Sequence, residues 1–404
     1  MSLINKLNQK KSGLSAYSAY EGEYVYPKLE GPLKNHMRFK GQEVIVWSFN
    51  DYLGLQSDER VIQAEVELVK QYGSSYPAGS RLLTGNTRHH EELEARLAQL
   101  VDRPALLLNF GYQGIFSVVD SLVDRHDTIL YDQQVHASLI DGVRLHQGPK
   151  FSFRHNDIAH LGKLLSKVPT GSEVLVLVDG VFSMRGDTAN LAQIIPLKKT
   201  HEFTLLVDDA HGFMSFGERG SVGHWLPEVD IYISTFAKAL ATTGGFVAAH
   251  EDFINYFKYN LRSQTFGRTL PLLNVASVLF KLDLLAREGE QRRAKLWQNT
   301  RTLQEGLIRL GYDVGDTCSP ITPVYLSCSE KVAAQFSSAL RYEYGIFCST
   351  VVYPVVPKGV MILRLIASAL HEPEDIAQTL EAFGILAERF SLQGVAERLE
   401  REYE

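Results

Sequence analysis

The chain has 404 residues, 45% of them hydrophobic and 22% charged, with a formal net charge of -6. That composition suits a globular protein large enough for two domains, and the lack of any Lys/Arg block argues against an extended nucleic-acid surface. No apolar stretch approaches the ~18 residues of a membrane span, the N-terminal MSLINKLNQKKSGLSAY lacks a signal peptide's apolar core, and Cys318, Cys328 and Cys348 show no metal-ligand spacing, so a cytoplasmic protein with buried structural thiols and no bound metal is expected.

Residues 1–47 are polar and aromatic, punctuated by Gly31 and Pro32, and read as a loosely patterned extension. SFNDYLGL (48–55) follows, with Asn50 and Asp51 as turn formers before a helix. Helical spacing over 59–71 puts Ile62, Val66 and Val69 on one face. YGSSYPAGSRLLTGN (72–86) is a loop whose small residues permit close backbone approach. In HHEELEARLAQLV (89–101), Leu93, Leu97 and Leu100 share a helical face, and the neighbouring His89 and His90 are expected at the surface.

ALLLNFGYQGIFSVVDSLV (105–123) predicts a buried strand, a glycine turn and a helix. The backbone amides at such a helix start suit an anion. DTILYDQQVHASLIDGVRL (127–145) carries His136, and EVLVLVDGVFSMRGD (173–187) is a further buried strand running into a loop that Gly186 and Asp187 shape. A helix at about 190–200 leads to the stretch on which the chain is organised. There, Thr204–Val207 ends in Asp208-Asp209-Ala210-His211, and Val229–Ile233 ends in Ser234-Thr235-Phe236-Ala237-Lys238. Gly244 and Gly245 precede a third apolar run, Phe246–Ala249. Buried strands with polar C-terminal tips carry chemistry at those tips.

An acid, a histidine and a lysine on adjacent tips point to an aldehyde cofactor, pyridoxal phosphate, held as a Schiff base. Lysine supplies the amine on a long stem. A carboxylate keeps the ring nitrogen protonated, and donors are needed for the ring oxygen and the phosphate. Lys238, Asp208, His211 and Thr235 fit those four roles in that order.

In the last third, Leu296, Leu303, Leu307 and Leu310 form a helical stripe that stops at Gly311. PITPVYL and GVMILRLIAS supply strands, with YPVVPKG (353–359) as a loop between them, and the charged segment 388–404 reads as a solvated helix.

VDDAHG, STFAKALATTGGF and VDGVFSMRGD together resemble the α-oxoamine synthases, a pyridoxal phosphate family of the fold-type I aminotransferase superfamily. The resemblance runs from about Ser48 to Leu370. In VDDAHG, LRLIAS and the NLRSQTF region it extends to bacterial serine palmitoyltransferases and the related cysteate fatty acyltransferases. It implies an α/β fold with a mainly parallel seven-stranded sheet in a large domain (48–290), after an N-terminal arm (1–47) and before a small α+β domain (291–404). It also implies a homodimer with shared active sites.

Residue by residue, the resemblance makes Asn50 a substrate contact, Gly111 and Tyr112 the phosphate grip and Ser183 a cofactor-site serine. His136, in a stretch similar to the family's D-x-x-x-H-A-S-x-x-D-G, lies over the cofactor ring. Arg364 takes the substrate carboxylate, for which its planar fork is suited. Two positions depart from the pattern: relatives often carry serine where Ala237 and Gly212 stand. In FGRTLP (266–271), aligned with F-S-x-S-x-x-P, Thr269 is a phosphate contact delivered by the neighbouring subunit. Arg268 replaces a small residue there; it reads an anionic group, such as a sulfonate or a carrier phosphate, or makes a salt bridge at the dimer surface.

The implied reaction is a decarboxylating condensation of serine or cysteate with a long-chain acyl thioester of coenzyme A or acyl carrier protein. It yields a sphingoid or sulfonolipid base released at a membrane surface. Lys238 removes the Cα proton, Asp208 supports the ring, and His136 and Arg364 orient the carboxylate. Glycine or alanine as substrate, aminotransferase chemistry and a non-catalytic partner subunit remain as alternatives, the last opposed by the presence of Lys238.

Overall fold

The computed structural model describes residues 2–9, 21–169, 171–326, 328–352, 356 and 361–392. Apart from Val356, the loop 353–359 lies outside them, as does most of the charged segment 388–404 beyond the helix Pro373–Arg389. Two compact units emerge: described residues up to Phe49 with Met184–Gly186 and those from Lys295 onward form one, and Asn50–Ser183 with Asp187–Ala294 form the other.

The smaller unit begins with β1 (Leu29–Glu30), β2 (His36–Phe39) and β3 (Gln42–Val46). Residues 36–46 are thus a hairpin rather than part of an unpatterned extension. Lys40 and Gly41, with φ of 49° and 82°, make the two-residue turn with positive φ at both positions that right-twisted strands prefer.

The larger unit is built on β4 (Ala105–Leu108), β5 (Thr128–Asp132), β6 (Lys150–Phe153), β7 (Val174–Asp179), β8 (Thr204–Asp208), β9 (Ile231–Thr235) and β10 (Gly245–Ala249). They form one seven-stranded sheet in the order β4-β10-β9-β8-β7-β5-β6. All neighbours from β9 to β6 pair in parallel, while β10 runs antiparallel to β4 and β9. Parallel strands are covered on both faces, which is why VLVLVD in β7 and IYIST in β9 are buried at every position. Their register sets Asp179 beside Asp208, so the polar tips gather at one edge of the sheet. The helix Gly111–Leu122 packs its Ile115, Val118 and Val119 into the core with Leu108 of β4 and Leu206 of β8.

Three expectations about side-chain placement change. The helix Glu59–Tyr72 buries Val61, while Ile62, Val66 and Val69 stay about 40% exposed. Its inward face is set by Val61 and Glu65, whose carboxylate accepts from Ser277 Oγ at 2.5 Å. His90 is fully buried, not at the surface. It shares the inward stripe of its helix with Leu93, Leu97 and Val101, whereas Leu100 is half-buried. The ring of His90 meets the Leu270 carbonyl at 2.9 Å and Thr87 Oγ1 at 2.8 Å, and burial drops its pKa to about 4. Of the cysteines, only Cys348 is buried, since Cys318 is exposed and Cys328 is half-buried.

The smaller unit is completed by β11 (Ile321–Tyr325), β12 (Ile346–Phe347), β13 (Ser349–Val351) and β14 (Ile362–Ile366). One sheet runs β1-β2-β3-β12 and another β11-β14-β13, with Arg364 on the central strand of the latter. Among the described residues, no helix is long and apolar enough to cross a membrane.

Candidate active site

The polar tips of the large sheet surround a cavity of about 290 Å³. The structure places Gly111, Tyr112, His136, Ser183, Asp208, His211, Thr235 and Lys238 around it. They arrive from the start of the helix Gly111–Leu122, the start of the helix Ala137–Leu145, the ends of β8 and β9 and the loops after β7, β8 and β9, as expected where an open α/β sheet presents its carboxyl edge.

Lys238 sits in a tight loop after β9. The N–H of Ala241 donates to the Lys238 carbonyl at 2.9 Å, and the N–H groups of Phe236 and Thr242 close the loop onto the carbonyls of Gly244 and Phe236. Asp208 ends β8, enclosed, and accepts the Ala210 N–H at 3.1 Å. Burial pushes its pKa up to about 7, against the opposing pull of that bond and of the Lys238 charge. A cation beside it would restore its ionised form.

His136 caps the helix Ala137–Leu145. Its Nδ1 accepts the Ser138 N–H at 3.3 Å and lies 2.7 Å from Ser138 Oγ, which leaves Nε2 as the protonated nitrogen. Burial, then the Lys238 charge, lowers its pKa, so the ring is neutral. Across the cavity, His211 Nδ1 lies 2.7 Å from the buried Tyr52 hydroxyl. The Thr235 hydroxyl donates to the Gly244 carbonyl at 2.9 Å and accepts the Ala237 N–H at 3.1 Å. Tyr112 is half-exposed, bonds Asp141 Oδ2 at 2.5 Å and stands edge-on to His136.

The helix Gly111–Leu122 opens on the cavity with no side-chain cap from Phe110. Its amides are therefore presented to an anion. A Cβ at Gly111 would fall 2.7 Å from Thr235 Oγ1, so only glycine lets the helix start come this close to the β9 tip. An amine, a buried carboxylate, two imidazoles and a helix start open to an anion are the donor set that pyridoxal phosphate requires, and the residues present fit it.

Sequence alone does not single out Asp179, although VLVLVD mirrors TLLVD. It lines the cavity, and its carboxylate accepts the His136 N–H at 3.1 Å. Burial, and then the Asp208 charge, hold its pKa well above the ordinary range.

Other expected site residues stand elsewhere. Thr269 is buried, with its hydroxyl 3.2 Å from His90 Nε2, and does not line this chain's cavity. Arg268 is exposed and donates to the Ser75 carbonyl; among the described residues it makes no ion pair within the chain. Asn50 lies outside the lining, its Oδ1 buried with no hydrogen-bond partner among the described residues. Arg364 is buried in the smaller unit.

Residues 42–383 match the family model for aminotransferase class I and II. The chain is 45% identical to the cysteate-C-fatty acyltransferase of Capnocytophaga ochracea, covering 96% of this chain and 94% of that one. It is 35% identical to the serine palmitoyltransferase of Sphingobacterium spiritivorum, covering 89% and 91% respectively. The solved serine palmitoyltransferase of Sphingomonas wittichii superposes with a TM-score of 0.90 at 29% identity, over 98% of this chain and all of that one. Fold, cavity and similarity together make this chain a pyridoxal phosphate-dependent enzyme of the class I and II aminotransferase family, in its α-oxoamine synthase branch.

Proposed function

We propose that this enzyme condenses an amino acid with a long-chain acyl thioester, with loss of carbon dioxide, and that the amino acid is cysteate or serine. The product is a 3-keto sulfonolipid or sphingoid base. The observation that carries the chemistry is the single cavity shared by Lys238, Asp208 and His136. The 45% identity to a cysteate-C-fatty acyltransferase, against 35% to a serine palmitoyltransferase, favours cysteate.

Lys238 would hold the cofactor's aldehyde, Asp208 its ring nitrogen and His211 its ring oxygen. The amides of Gly111 and Tyr112, with Thr235, would hold its phosphate end, and Ser183 would be a further cofactor contact. Bound there, pyridoxal phosphate supplies a sink for the electron pair left on the substrate Cα. Lys238 Nζ takes the Cα proton. His136 presents its Nε2–H to the substrate, and Arg364 and Asn50 are the further substrate contacts we assign. The new carbon–carbon bond forms at the acyl carbonyl, the thiol leaves with a proton from solvent, and the carboxyl group departs as carbon dioxide, its place on Cα taken by the proton that Lys238 Nζ holds. We place the enzyme in the cytoplasm as a homodimer in which Thr269 serves the neighbouring site. It takes its acyl group from coenzyme A or acyl carrier protein and releases the lipid base at a membrane surface.

Carboxyl-labelled cysteate or serine, incubated with a long-chain acyl thioester, is expected to release labelled carbon dioxide and yield a keto-amine. Lys238→Ala should reduce both by on the order of a thousandfold or more. Amine transfer to a keto acid without carbon dioxide would make the protein an aminotransferase instead. We assign Arg268 to an anionic group on the substrate, an assignment supported by its exposure and by its lack of an ion pair among the described residues. Arg268→Ala should then depress kcat/KM for cysteate and spare serine; equal effects on both would remove that assignment.

A further inference from the structure

The tip of β6 lines no part of the cavity, yet it carries an enclosed imidazole between two carboxylates. His155 Nδ1 lies 3.0 Å from Asp132 Oδ1, and Nε2 lies 2.8 Å from Asp187 Oδ2. The three side chains are 9%, 1% and 11% exposed. Ionised carboxylates only accept, so both ring nitrogens must donate and the ring is an imidazolium. Burial pulls its pKa down, but the bonds to Asp132 and Asp187 more than reverse this, to about 9. The Phe182 ring stands edge-on at 4.4 Å and fixes the imidazole plane.

Each carboxylate belongs to a loop that reaches the cavity. Asp132 closes β5, accepts the Gln134 N–H on Oδ1 at 2.8 Å and the Val135 N–H on its carbonyl at 3.1 Å, and so shapes the turn that presents His136. The Asp187 carbonyl accepts the Phe182 N–H at 2.9 Å, next to Ser183. Asn156 repeats the bridge. Its N–H donates to Asp132 Oδ2 at 2.9 Å, and its side chain bonds the Thr188 carbonyl and the Asn190 N–H at 3.0 and 3.1 Å. Asn156 holds a φ of 51°, a left-handed conformation that asparagine tolerates. The chemistry assigned to the cavity uses none of these four residues. A buried ion cluster adds little stability over apolar packing of the same volume, so its use here is geometric.

We propose that His155 is a positioning residue for the reaction, a two-sided clasp that holds the His136 loop and the Ser183 loop at the separation cofactor and substrate need. The proposal rests on the reaction assigned above for its catalytic consequence, but the clasp itself is testable without it. In His155→Gln, which can bond only one side at a time, the pyridoxal phosphate dissociation constant should rise about tenfold. The amino-acid KM should rise by a similar factor while the acyl-thioester KM stays near wild type. In the cofactor-free protein, amides of 133–137 and 181–188 should exchange with deuterium about tenfold faster, with those of the helix Glu251–Asn260 unchanged.

A fall in melting temperature with wild-type cofactor affinity, KM values and loop exchange would overturn the proposal and leave His155 a stabilising residue only. If His155→Gln does not fold, Asp187→Asn, which keeps the Asp132–His155 bond, must show the same pattern, with the larger exchange increase at 181–188. If wild-type protein binds no pyridoxal phosphate, the assigned reaction fails, and the exchange data alone decide the clasp.

Discussion

Asp208 and Asp209 are adjacent, both buried, and burial pushes each carboxyl up to about 7, yet their surroundings differ. Asp208 faces the cavity. Asp209 is enclosed by donors: the Ser221 hydroxyl, the Ser221 N–H at 2.9 Å and the Tyr232 hydroxyl at 2.9 Å. Glycines pack around it, for a Cβ at Gly180, Gly212 or Gly220 would fall 2.3, 2.0 or 1.7 Å from an Asp209 oxygen. Burial and a shifted pKa therefore do not separate a chemical acid from a structural one. What separates them is whether the acceptor capacity is already spent inside the protein or is presented to a ligand.

Exchanging each acid for its amide tests that distinction most severely. Asp208→Asn should lower turnover by on the order of a thousandfold while shifting the melting temperature by only a few degrees. Asp209→Asn should do the reverse, because its amide nitrogen confronts donors where the carboxylate accepted. We expect a loss of roughly 2–3 kcal/mol, read by denaturant unfolding, with activity per folded molecule within a few-fold of wild type. If Asp209→Asn lost activity with unchanged stability, the two acids would not differ in kind.

Gly212→Ser comes next. The family pattern often places serine here, and the sequence alone marks the glycine only as a branch difference. In the structure, a Cβ at 212 would also stand 2.6 Å from the Ser221 backbone nitrogen, an atom that cannot swing aside, and Asp209 is held by three bonds. The substitution should cost about 2 kcal/mol and leave the cofactor's absorbance unchanged. A neutral result would mean that the enclosure around Asp209 yields easily.

The contrast also marks what the sequence could disclose. Buried parallel strands are unbroken apolar runs, so β7, β8 and β9 and their polar tips were legible, and with them Asp208, His211, Thr235 and Lys238 as neighbours around one cavity. Periodicity gives a helix but not which way it turns, as the exposed Ile62, Val66 and Val69 and the buried His90 demonstrate. The Lys40-Gly41 turn of the 36–46 hairpin was a usable signal, since alternating burial flanks it in β2. Pairings made by tertiary contact leave no such trace: His155 meets Asp132 across 23 residues and Asp187 across 32. Asp209 stands inside VDDAHG, yet its partners Ser221 and Tyr232 lie 12 and 23 residues away.

Tyr232→Phe is the mildest way to open the Asp209 enclosure, and its pH dependence sharpens the argument. It removes one donor and leaves the Ser221 N–H on the same oxygen. The expected cost is about 1 kcal/mol, with no change in turnover. Asp209 titrates at about 7 in the folded protein against an ordinary 3.8, so the folded state holds its proton more tightly than the unfolded chain does. That group therefore weakens the fold as pH rises from about 4 to 7. The Tyr232 bond lowers the Asp209 pKa, so losing it raises the folded value further and steepens the decline. Unfolding curves should nearly coincide for wild type and variant at pH 4 and separate by the full amount at pH 8. A gap that is constant with pH would mean that the tyrosine does not bond the ionised acid.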